Sequence, residues 1–84
     1  MSNTNNSTYL NVLISKFNKT VVEIKDKMKK IDELDEILDE FTVSTGHSFK
    51  VERASLIDEV RELNIRAKTL KEIIIEMKEN EENE

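Results

Sequence analysis

Two rows of apolar residues, each alternating steps of four and three, dominate the sequence. The first is Leu10, Ile14, Phe17, Val21, Ile24, Met28 and Ile31; the second is Leu56, Val60, Leu63, Ala67, Leu70, Ile74 and Met77. That spacing is the a/d seam of a coiled coil, in which each helix turns one apolar edge to its partner. Folded back on each other, the rows pair Ile31 with Val60, Met28 with Leu63, Ile24 with Ala67, Val21 with Leu70, Phe17 with Ile74 and Ile14 with Met77. The residue numbers of every pair add to the same constant. Each pair also sets an a position beside a d position, as antiparallel packing requires. The midpoint falls between Thr45 and Gly46, at the only glycine in the chain. The sequence therefore predicts an all-α fold, an antiparallel two-helix coiled-coil hairpin that dimerises into a four-helix bundle.

The boundaries follow from caps and charges. Residues 1–7 are polar and expected to be disordered, with Asn6, Ser7 or Thr8 able to cap a helix start. Helix 1 is expected over about 8–42, a turn over 43–48 and helix 2 over about 49–78. Gly46 can end helix 1 in a left-handed conformation, and Ser48 can cap helix 2. The acidic stretch 79–84 is expected to fray, because carboxylates at a helix C-terminus oppose the macrodipole. Glu23–Lys27, Asp26–Lys30 and Glu62–Arg66 are supportive i,i+4 pairs. Near the turn the seam becomes polar. Asp35 takes the next a position and Arg53 faces Leu38, so the two can form an ion pair across the hairpin. Such a pair acts either as a register lock or as two side chains reaching out to water.

Composition supports long helices and excludes several functions. The chain has 84 residues, 37% hydrophobic and 37% charged, with 1 Gly and 0 Pro, so little interrupts a helix. Two helices bury only one seam, and ordering them costs more conformational entropy than so small a core returns. Self-association or a protein partner is the usual remedy, and a homodimer is expected. The net charge of −5 argues against nucleic acid as a ligand. Cysteine is absent, and the longest apolar runs, Ile73–Ile75 and the equally short Val12–Ile14, are far from a membrane span. Together with a polar N-terminus that lacks a secretory pattern, this leads to a cytoplasmic expectation without direct membrane insertion.

No residue constellation suggests chemistry. Asp32, Asp35, Glu36 and Asp39 lie at helical spacing, but without the glycine turn of a calcium loop or the E-x-x-H pattern of a di-iron site. They are expected to form a solvated face. Lys25, Lys27, Lys29 and Lys30 make a short basic cluster of the same kind. His47 is the only histidine and has neither a cysteine nor a nucleophile motif near it. The expectation is a protein that is not an enzyme, with no catalytic, cofactor-binding or metal site. Three Asn-x-Ser/Thr matches, one of them Asn18-Lys19-Thr20, are expected by chance in so asparagine-rich a chain.

What remains is apolar surface off the seam. Tyr9, Leu13, Leu34, Ile37, Phe41 and Ile73 fall on one flank and form the candidate interaction surface. The stretch Phe17 to Met77, with Phe-x-x-x-Val-Val-x-Ile and then Met-x-x-Ile, resembles the first two helices of syntaxin N-terminal domains, without their third helix or a SNARE motif. That resemblance implies a SNARE-like or membrane-tethering regulator. In outline the hairpin is also similar to WXG-type secreted proteins, without the Trp-x-Gly turn, and to the tRNA-binding arm of seryl-tRNA synthetases, with the wrong charge. The residues themselves point to a small acidic protein–protein interaction module: an adaptor, regulator or inhibitor of a larger protein. A structural subunit or secretion-type chaperone in a hetero-complex is the alternative.

Overall fold

The computed structural model describes the backbone of residues 2–40 and 46–83 and the side chains of 8–39 and 46–80. Two helices, α1 (Ser2–Glu40) and α2 (His47–Asn83), pack antiparallel along their length. The resulting rod measures 63 × 14 × 14 Å. The backbone is helical from Ser2, where the sequence reading starts helix 1 near residue 8, and α2 runs to Asn83 rather than to about 78. No proline or glycine stands in either stretch, and Ser, Asn and Thr cost a helix only about 0.5 kcal/mol each.

Gly46 works differently from its sequence assignment. Its φ is not positive, so it is not a left-handed terminator of α1. Its carbonyl accepts the first bond of α2, from the Lys50 N–H at 3.0 Å. Gly46 is thus the N-cap of α2, a place where glycine is well tolerated. Ser48, assigned that role from sequence, lies within the first turn, and His47 is the exposed first residue of the helix. The rest of the expected turn, with Phe41, lies outside the described residues.

On α2 the seam is as the sequence reads it. Leu56, Val60, Leu63, Ala67, Leu70, Ile74 and Met77 are all buried or half-buried, and Phe49 and Arg53 continue the row towards the turn. On α1 the seam is rotated by one residue. The covered row is Leu10, Leu13, Phe17, Thr20, Ile24, Lys27, Ile31, Leu34 and Leu38. Leu13 is 5% exposed and Leu34 7%, whereas Met28, expected in the core, is 52% exposed. The reason is visible in the two competing rows. Ile14, Val21 and Met28 would bring Asp35 into the seam. Leu13, Thr20, Lys27 and Leu34 put a leucine near each end and move Asp35 to the margin.

The two polar members of the chosen row are accommodated. The Thr20 hydroxyl donates to the Lys16 carbonyl at 2.8 Å, so it is buried without a lost hydrogen bond. Lys27 lays its stem on the seam and carries its ammonium out to Glu59, at 2.9 Å, on the other helix rather than to Glu23 on its own.

The register shifts with the rotation. Opposite Lys27 the sequence register places Asn64, yet Lys27 meets Glu59; and Ile74, placed by that register opposite Phe17, is buried with Leu10 and Leu13. The helices have slid by about four residues, roughly 6 Å. Leu10, Leu13 and Ile74 then form a buried cluster at the open end, with Ile14, Phe17, Leu70 and Met77 packed against it.

Two measurements separate the observed seam from the alternative. Leu13→Ala and Leu34→Ala should each cost about 2–5 kcal/mol in chemical denaturation followed by circular dichroism. Met28→Ala should cost under about 1 kcal/mol. Cysteines at Ile31 and Leu56 should oxidise to an intramolecular disulfide faster than cysteines at Ile31 and Val60, because the second pair is about one helical turn out of register.

Candidate interaction surface

Rotation of α1 divides the residues beside the seam into two flanks of different character. At 3.6 residues per turn, each side of the seam carries its own heptad rows. The Lys27–Glu59 bridge marks one flank and the Asp35–Arg53 bridge the other.

The Lys27–Glu59 flank is charged with both signs. Lys16, Glu23 and Lys30 line it from α1, and Glu59 and Arg66 from α2. A shallow depression between the helices is lined by Lys16, Lys19, Thr20, Arg66 and Leu70. Three apolar residues of the sequence-predicted surface stand here: Tyr9 and Ile73 exposed, and Ile37 half-buried.

The remaining members of that predicted surface are placed otherwise. Leu13 belongs to the core cluster with Leu10 and Ile74, and Leu34 is equally buried. Their assignment as free surface is corrected: it followed from placing the α1 seam one residue too far along. Phe41 lies outside the described residues.

The Asp35–Arg53 flank holds what sequence reasoning assigned to the core. Ile14 and Val21 are half-buried, Met28 is largely exposed, and Ile57 and Ile75 border them from α2. On the outer face of α1, a shallow groove is lined by Asn11, Ile14, Ser15, Asn18, Lys19, Val22 and Glu23. The expected ion pair is present: the Arg53 Nε–H donates to Asp35 Oδ1. Asp32, Glu36 and Asp39 are exposed, as expected of a solvated face. Among the described residues no group of three or more His, Cys, Asp or Glu side chains is arranged to hold a metal ion. Nor, among the described residues, is any helix long and apolar enough to cross a membrane.

No known protein family, no curated protein and no solved structure matches the chain.

The Asp35 and Arg53 side chains are 47% and 38% exposed, so water screens the pair. A double-mutant cycle with Asp35→Asn and Arg53→Gln should return a coupling of about 1 kcal/mol or less. A larger value would mark the pair as a lock on the register.

Proposed function

We propose that the chain is a small acidic helical protein–protein interaction module, acting as an adaptor, regulator or inhibitor of a larger protein. The observation that carries this reading is the exposure left by a single seam. Tyr9, Val12, Val22, Met28, Val51, Ile65, Ile73 and Ile75 are all large apolar side chains in contact with water. Among the described residues, no side chain is fully buried. A hairpin that needed only its own two helices would carry polar residues at those positions. Further protein surface is what such side chains exclude water with.

A second copy is the partner proposed for the Lys27–Glu59 flank. Its mixed charges, Lys16, Glu23, Lys30, Glu59 and Arg66, can meet their own images across a two-fold axis without a net clash. Tyr9 and Ile73 then supply the apolar contacts. Leu34 is unsuitable for testing this, since it holds the hairpin itself.

Sedimentation equilibrium at low micromolar concentration should give a dimer, and Tyr9→Ser with Ile73→Ser should shift it to monomer with helicity kept. Immobilised on beads and exposed to an extract of its native host, the hairpin should also retain a defined protein. Wild-type chain that is a monomer and retains nothing would overturn the reading.

A further inference from the structure

The Asp35–Arg53 flank carries a charge opposite to that of the chain. Between Asn11 and Met28 on α1, the rows on this side hold Asn11, Ile14, Asn18, Val21, Lys25 and Met28. Between Ile57 and Lys78 on α2, the cations are Arg61, Lys68, Lys71 and Lys78, with Ile57, Asn64 and Ile75 among them. No carboxylate falls on either stretch of these rows, although the chain has 18 acidic residues against 13 basic ones. Lys25, Lys68, Lys71 and Lys78 make no ion pair with any described residue. Arg61 reaches Asp58 at 3.4 Å, with both side chains 74% exposed. One wall of the trough is thus apolar, made by Ile14, Val21 and Met28 on α1. The other is basic, made by α2.

From this geometry we infer that the trough is a docking site for one further helix: an amphipathic segment of another protein with carboxylates beside its apolar stripe. Three properties of the site define that occupant. The apolar wall repeats at heptad spacing, Ile14 to Val21 to Met28, which matches the edge of a helix laid along α1. The cations repeat at the same spacing, Arg61 to Lys68 and Lys71 to Lys78, so Asp or Glu one heptad apart on the incoming helix would meet them in register. The stretch from Asn11 to Met28 is about 25 Å long, which is about five turns of helix. A second copy presenting this same flank is disfavoured, because it would set five cations against five. The overall charge of −5 repels an acidic partner from the rest of the molecule and leaves this flank as its point of approach.

This inference rests on the interaction-module reading but fails separately from it. The probe is a fluorescein-labelled synthetic amphipathic helix with Leu and Ile on its apolar stripe and Glu beside it. Its control carries Lys in place of Glu. Anisotropy titrations of the folded hairpin should show the Glu peptide binding at least about tenfold tighter than the Lys peptide at low salt, with the preference shrinking as salt screens it. Lys68→Glu with Lys71→Glu, both exposed positions, should reverse the preference while circular dichroism stays unchanged. Val21→Asn with Met28→Gln should weaken binding of both peptides. Equal binding of the two peptides, a preference that survives the Lys68 and Lys71 changes, or tighter binding to duplex DNA or anionic vesicles than to the Glu peptide would each overturn the site. A host protein retained on beads equally well by wild type and by the Lys68/Lys71 variant would overturn it too, and would leave the module reading standing.

Discussion

Everything in this molecule depends on one line of side-chain contact between α1 and α2. The described residues form no second layer, so each helix must show its best apolar edge to the other and leave the rest to water. That single constraint decides which residues are core and which are surface. When α1 turns by one residue, Leu13 and Leu34 enter and Met28 leaves. Both flanks change identity with it. The stability of the hairpin and the nature of its exposed faces are therefore set by the same choice, and a substitution that altered the seam would alter the binding surface as well.

The choice itself is a compromise between polar residues. Each candidate row on α1 contains residues that do not belong in a core, Asp35 in one and Thr20 with Lys27 in the other. A carboxylate beside the turn cannot leave a seam cheaply, because its side chain is short. A lysine can, by laying its methylenes on the neighbouring helix and ending on Glu59. A threonine can satisfy itself within its own helix, as Thr20 does on the Lys16 carbonyl. The row whose polar members have such exits is the row that is buried. The Asp35–Arg53 bridge then forms at the margin, where solvent keeps its desolvation cost small.

How much of this the sequence displayed depends on the helix. On α2 only one row is apolar throughout, so period alone identifies Leu56, Leu63, Leu70 and Ile74 as core. The antiparallel hairpin and the Asp35–Arg53 pair were legible for the same reason. On α1, Leu13 and Ile14 stand side by side, and Leu34 continues the row from Leu13 while Val21 and Met28 continue the row from Ile14. Heptad spacing accepts either rotation there, and counting hydrophobic residues favours the wrong one. The register inherited that error, and so did the interaction surface. Tyr9, Ile37 and Ile73 remained off the seam because they lie beyond the reach of a one-residue turn, whereas Leu13 and Leu34 did not. The basic flank was hidden in the net charge and emerges only when the cations are sorted by helix face. Gly46 shows a further limit: a lone glycine between two helices can serve the one that ends or the one that begins, and composition does not say which.

The position of the core cluster has a mechanical consequence. Leu10, Leu13 and Ile74 meet towards the open end, far along the rod from the connection between the helices. The rod is consequently clasped twice, by the chain itself at one end and by a knot of aliphatic side chains at the other. Between the clasps stand Thr20, Ala67 and Lys27, the smallest and most polar stretch of the seam. A zipper of uniform teeth would part from its free tip. Here the smallest contacts stand at mid-length, so the helices are expected to part there before the cluster of Leu10, Leu13 and Ile74 separates. Such an opening would admit a foreign side chain between α1 and α2 without separating them, and amide exchange should be slower beside Leu10, Leu13 and Ile74 than beside Thr20 and Ala67.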